Sequence, residues 1–288
     1  MAERHREDIA GGQALIEGVM MRHGDRVASA VRAPNGEIVI QEKQYVPLAK
    51  RYKIFGIAFL RGFVTLIEMM VIGMKALLFS AEVALTEEEK KPGPWELPLS
   101  LLFSFAMVIL LFIIIPAYFF TQLKNHVGNL ILLNFLEGLI RLGIFLGFLL
   151  STLLSSDMRR VFMYHGAEHK TVFAWEAGEE LIVENVRPYS PRHPRCGTSF
   201  ILVVMVVSIL VFSLLGRPDF VTRVVCKLAL LPVISGISYE IIRFTGQHQN
   251  WPWVQFLSWP GLLLQRITTR EPTDDQIEVA IAAMKRVV

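Results

Sequence analysis

The chain lacks most of what marks a secreted or nucleotide-binding protein. Its 288 residues hold two cysteines, Cys196 and Cys226, too few for a disulfide framework. No apolar stretch follows the charged residues 1–8, so no secretory signal is expected, and the start of the chain is expected in the cytosol. The glycine-rich segment at residues 11–22 is neither GxGxxG nor a Walker loop, so no nucleotide site is read there. Its glycines are expected to serve backbone turns, and Glu17 to be a solvated or capping carboxylate. Charged residues make up only 19% of the chain, no internal repeat is evident, and no nucleic-acid partner is expected.

What the chain has instead is concentrated apolar sequence. It is 53% hydrophobic with a mean hydropathy of +0.45. A helix needs about 20 mostly apolar residues to cross a bilayer. Residues 97–120 meet this without a charge. Residues 199–215 are as clean but short. Residues 130–154 carry Glu137 and Arg141, and residues 220–242 carry Arg223, Lys227 and Glu240. Four spans put the N-terminal region, the polar segment 155–198 and the C-terminal tail on one side. These hold most of the Lys and Arg, so the positive-inside rule places them in the cytosol, with Cys196 in a reducing compartment.

Residues 55–85 are different. Arg61, Glu68, Lys75 and Glu82 follow one another at intervals of seven and fall on one narrow stripe of a helix. They lie roughly 10 Å apart, too far to pair among themselves. The segment reads as an amphipathic helix in or re-entering the interface, its stripe available to water, headgroups or a partner; a fifth span is the rival reading. Within the spans, Glu137 and Arg141 stand four apart, and Glu240 and Arg243 three apart. Each couple is expected to neutralise itself and lock two helices together.

The soluble parts are small. Residues 26–46 read as a β-hairpin around Asn35-Gly36, and residues 273–288 as a capped amphipathic helix. Residues 86–95 read as a solvated linker. Trp251, Trp253 and Trp259 read as an interfacial belt.

The polar segment carries the chemistry. If residues 163–175 are helical, His165 and His169 lie one turn apart on one face, with Glu168 beside both. Pro194 bars a regular helix further on, so His193 and Cys196 project from a turn. Together they give H-x3-H-x23-H-x2-C, a donor set suited to a divalent metal, zinc above all. Four ligands would make a structural site; three, with Glu168 as base, a catalytic one. The letters H-x-x-E-H also match the inverzincin peptidases, but five letters recur by chance, and peptidase activity is not carried over. Lys170, Arg192 and Arg195 suit an anionic group, or equally a membrane surface.

GGQALIEGVMMR (11–22), YHGAEHKT (164–171), HPRCGTSF (193–200) and SYEIIR (238–243) resemble the YqhQ-type family of bacterial membrane proteins, a domain of unknown function that carries the label of a metal-dependent enzyme. The resemblance runs from about residue 11 to the end of the chain. It implies a bacterial inner-membrane protein with metal positions at His165, Glu168, His169, His193 and Cys196.

The expected fold is an α-helical polytopic membrane protein of about four transmembrane helices plus one interfacial or re-entrant helix, with a small cytosolic α+β module. Its parts are residues 1–54 (N-terminal region with hairpin), 55–85 (interfacial helix), 97–154 and 199–243 (transmembrane pairs), 155–198 (His/Cys loop) and 244–288 (Trp segment and C-terminal helix). Two functions are carried forward. One is a metal-dependent hydrolase acting at the membrane surface. The other is an assembly protein with a structural metal, whose striped helix docks on another membrane complex such as the insertion or secretion machinery.

Overall fold

The computed structural model describes residues 10–85, 95–194, 196–248 and 251–288. The linker expected over residues 86–95 lies, but for Trp95, outside these, as do Arg195 and the charged start of the chain.

The chain begins as a four-stranded antiparallel meander: β1 (Ala10–Leu15), β2 (Gly18–His23), β3 (Arg26–Arg32) and β4 (Ile38–Gln44), in spatial order β1-β2-β3-β4. The expected hairpin is its β3–β4 half, with Arg32 opposite Ile38 across the Asn35-Gly36 turn, where Gly36 takes a positive φ of 89°. The glycine-rich segment, read as turns, is in fact the β1–β2 hairpin, pairing Leu15 with Gly18. Side chains alternate across a strand, and here both faces are covered. Val19, Met21, Ala28 and Ala30 enter one core, while Met20, Val27 and Val31 enter another.

Short α1 (Leu48–Arg51) and a 3-10 turn, Lys53–Gly56, lead into α2 (Leu60–Ala84). There follow α3 (Glu96–Ile109), a π turn at Leu110–Ile114, α4 (Ile115–Leu123), α5 (Leu130–Thr152), α6 (Ser156–Ala177), α7 (Val183–Val186), α8 (Gly197–Ser213), α9 (Phe220–Gln247), α10 (Pro252–Thr268) and α11 (Asp274–Met284). Caps set several of these ends: Asn129 accepts from Ile131 and Leu132 at the start of α5, Ser155 caps α6, and Thr273 with Gln276 forms a capping box on α11.

Among the described residues, four helices are long and apolar enough to cross a membrane: Leu60–Ala84, Pro98–Leu123, Leu130–Thr152 and Phe220–Gly246. Length thus admits α2, which the sequence reading laid in the interface, and leaves the 17-residue α8 below the threshold. Helix α9 packs on α2 and α8, α5 on α4 and α8, and α10 on α8.

One face of the sheet meets α6 and α11 through Tyr164, Ala167, Ile277, Ala280 and Met284. The opposite face meets α2 around Ala76, with Leu15 and Met20 fully buried. The sheet is therefore clamped between the pair α6 and α11, here called the C-terminal module, and α2 of the helix bundle. Half of the segment expected as a loop at 155–198 is the helix α6.

The charged stripe on α2 is partly consumed inside the protein. Arg61 donates twice to Glu240 of α9, at 2.6 and 2.5 Å. Glu68, buried, accepts from the Tyr45 hydroxyl and the Leu48 backbone N–H, both at 2.6 Å. Lys75 and Glu82 are exposed. Sequence spacing had paired Glu240 with Arg243; in the fold its bidentate partner is Arg61, 179 residues away, and Arg243 is exposed. Glu137, expected to neutralise itself with Arg141, takes on Arg223 and Lys227 as well.

Candidate metal centre

Helix α6 places His165 and His169 on one face, as the i, i+4 spacing requires, with ring centroids 4.4 Å apart. Cys196 arrives from the N-cap of α8, where the Thr198 N–H points at its sulfur at 3.4 Å. One ligand atom from each of His165, His169 and Cys196 lies within 4.8 Å of the other two. His165 Nε2 is 3.2 Å from Cys196 Sγ.

Backbone carbonyls hold both imidazoles. Thr268, at the end of α10, sits 2.8 Å from His165 Nδ1, and Pro191 sits 2.7 Å from His169 Nδ1. A carbonyl can only accept, so each Nδ1 carries a proton and, in the neutral ring, Nε2 is the nitrogen left to face a metal, the arrangement typical of metal-bound histidines. Gly166 makes this possible. The Arg270 carbonyl lies against it, where a Cβ would clash, and a Cβ there would also come within 3.2 Å of Pro191 Cβ. Beside it Lys170, buried, donates to the Arg187 carbonyl and pairs with Glu271.

Glu168 is buried beside the three ligands without belonging to their set. Its Oε2 lies 3.5 Å from His169 Nε2. Burial pushes its carboxyl above the usual range, opposed by His165, His193 and a backbone hydrogen bond from Gly12. Gly12 has a second part in this: a Cβ there would come within 2.9 Å of Glu168 Cγ. The first glycine-rich block and the His block are thus two walls of one site. Burial lowers the His169 pKa, with Cys196 opposing, so its imidazole is neutral at neutral pH.

Of the four ligands expected from the sequence, the structure brings three together. His193 stands outside the set. Its ring packs on Phe173, 4.3 Å between centroids, and its Nε2 lies 3.5 Å from Glu176 Oε2. Burial pushes its pKa down to about 4, so that contact is polar rather than ionic. Gln265 on α10 fixes the backbone around it, accepting from His193 N–H and donating to His193 C=O, each at 2.8 Å.

Other candidates fall elsewhere. Glu17, read as solvated or capping, is bound twice by Arg160 of α6, at 2.6 and 2.5 Å, which lowers its pKa. Arg61, Glu68, Lys75 and Glu82 belong to α2, and Glu137, Arg141, Glu240 and Arg243 to the bundle helices. Sequence reasoning missed Gly12, Pro191, Gln265 and Thr268. Only Gly12 had a visible signal, the doubled glycine of its motif block.

Comparison with known proteins places this geometry in a family. Residues 57–288 match the family model described as Protein of unknown function (DUF1385). The chain is 35% identical over 292 residues to "Uncharacterized protein YqhQ" of Bacillus subtilis (strain 168), covering 96% of this chain and 92% of that protein. No solved structure matches. The chain belongs to the DUF1385 family, whose function is not established.

Proposed function

We propose that the chain binds one divalent metal ion, zinc by its donor chemistry, through His165, His169 and Cys196, and that it acts as a metal-dependent hydrolase on the cytosolic face of a bacterial inner membrane. One observation carries the reading. Three ligand atoms lie within 4.8 Å of one another, and a buried carboxylate stands next to them but outside the set. Three protein ligands are the pattern of zinc sites that keep an open position, where the ion supplies Lewis-acid chemistry. The chain's own groups do the rest. Thr268 and Pro191 orient the imidazoles, Gly12 fixes the Glu168 carboxylate, and Glu168 holds or passes a proton at Oε2, a task suited to a carboxyl whose burial favours its neutral form.

Metal analysis by mass spectrometry on detergent-purified protein tests this, alongside an ester and phosphoester hydrolysis screen. Near-stoichiometric zinc should vanish in His165→Ala and persist in Glu168→Gln, while hydrolysis is lost in both. Metal and hydrolysis both retained in Glu168→Gln would remove Glu168 from the chemistry and the hydrolase reading with it.

The assembly reading now rests on less. With Arg61 and Glu68 engaged internally, the docking of a membrane complex on the stripe would fall first on the exposed Lys75. Charge reversal at Lys75 that strips a co-purifying complex while metal content stays constant would favour it.

A further inference from the structure

The most heavily charged place in the bundle is remote from the His/Cys set. Glu137 of α5 meets Arg141 of its own helix, and Arg223 and Lys227 of α9. Arg223 and Lys227 are fully buried, Glu137 is 2% exposed and Arg141 7%. Glu137 is the one carboxylate paired with these cations among the described residues. Asp219, the acid at the N-cap of α9, is taken up by the Thr222 hydroxyl and N–H. Three cations on one carboxylate leave two buried positive charges in excess. An unbalanced charge at membrane depth costs several kcal/mol and is rarely kept without a use.

The three cations are not equally engaged. Pro116 has no N–H to offer the Phe112 carbonyl four residues back, and Arg141 Nε takes that carbonyl at 3.1 Å. Its Nη1 donates to Ser208 at 2.8 Å. Arg141 is therefore held by the frame of the bundle. Arg223 uses only Nη2, on Asn134 at 2.6 Å and Glu137 at 2.5 Å; its Nε and Nη1 have no hydrogen-bond partner among the described residues. Its guanidinium lies over the Phe120 ring, 3.2 Å from the centroid, and Lys227 lies 5.3 Å from that of Phe212. Arg223 is the fourth residue of α9 and Asn134 the fifth of α5, so the outer edge of the cluster is about one helical turn, roughly 5–6 Å, inside the end of the bundle formed by residues 124–129 and 214–219, with Lys227 and Glu137 about one turn deeper and Arg141 about two. Cys196 lies at the opposite end of α8 from Ser208.

We infer that Arg223 and Lys227, backed by Arg141, form a binding site for a phosphate group that enters from the end of the bundle away from the His/Cys set. A doubly charged oxyanion balances the excess that a halide would only halve. Its several acceptor oxygens match the unused donors of Arg223, and guanidinium and ammonium groups are common partners for phosphate. The phosphate comes either from a lipid headgroup at that end of the bundle or from free phosphate in solution.

The test uses the full chain in a phosphate-free, non-ionic detergent. Thermal melting and native mass spectrometry are followed while inorganic phosphate is titrated in one arm and dioleoyl phosphatidic acid, in mixed micelles, in the other. A saturable rise in melting temperature with bound mass is expected in one arm, and that arm names the source. Lys227→Met should weaken the response by about tenfold or more, with zinc content equal to wild type, so that this site and the metal site stand or fall separately. Neither ligand binding to the wild-type protein overturns the inference, even if the variant does not fold. So does a Lys227→Met protein that responds like wild type.

Discussion

Gly166→Ala adds a single methyl group in the middle of α6, and two effects of opposite sign compete. In a helix interior alanine is favoured over glycine by about 0.5–1 kcal/mol. At this position the new Cβ runs into the Arg270 carbonyl and comes within 3.2 Å of both the Arg270 carbonyl carbon and Pro191 Cβ. These atoms are not free to yield. Arg270 N–H is bonded to Phe162 O at 2.9 Å, and two residues earlier the Thr268 carbonyl holds His165; the Pro191 carbonyl holds His169. Overpacking of this kind costs about 1–3 kcal/mol, so the net change should be a loss of up to about 2 kcal/mol. Losing outer-shell partners commonly weakens metal affinity about 10–100-fold, and here both histidines would lose alignment together. Gly143→Ala on α5 is the control, because a Cβ there meets nothing within 4 Å. That variant should melt at or slightly above wild type with unchanged zinc affinity. Melting in detergent and zinc competition against a chromophoric chelator read both quantities. A Gly166→Ala protein that melts above wild type, as the control does, and holds zinc equally well would refute the account of how the site is built.

Three further outcomes are expected. Because burial holds His193 near 4 against 6.5 for an exposed imidazole, the unfolded chain takes up this proton first, and His193 should cost up to about 3 kcal/mol of stability as the pH falls from 6.5 toward 4. Glu168, raised above 4.5, works in the opposite direction in acid, so the acid-side loss should shrink in His193→Gln and grow in Glu168→Gln; melting curves at several pH values that are parallel for all three proteins would contradict this. Arg61→Glu should destabilise by about 1–3 kcal/mol and the swap Arg61→Glu with Glu240→Arg should recover at least half, whereas an equal loss in the double variant would mean that the pair does not join α2 to α9. Leu15→Ala, at a fully buried position between the sheet and α2, should cost about 2–5 kcal/mol in thermal or denaturant unfolding, and a loss near zero would mean that the sheet does not rest on that helix.

Local periodicity carried much of this fold. The apolar runs became helices close to the expected ends, Asn35-Gly36 turned a hairpin, and the i, i+4 spacing put His165 and His169 side by side. What stayed hidden was contact between distant segments. Strand β2 is buried on both faces over Gly18 to Met21, so it shows no alternation to read, and Glu17 gave no sign of Arg160, 143 residues away. The stripe on α2 was visible, but Glu240 and Tyr45, which use part of it, were not. His193 looked like a ligand from its spacing to Cys196; Gln265 instead holds its backbone, and the ring packs at a tilt against Phe173. The carbonyls of Pro191 and Thr268 orient the histidines through main-chain atoms, which leave no trace in residue type.

The sheet clamped between α2 and the C-terminal module has a mechanical consequence. Gly73 of α2 packs against Gln13, the neighbour of Gly12, and Gly12 touches Glu168. Cys196 is attached to a different body, the start of α8. The carboxylate and the thiol therefore rest on separate helices, α6 and α8, and the first is tied through Gly12 and Gln13 to α2. A displacement of α2 against α8 would therefore reach the carboxylate and the thiol through different chains of contact.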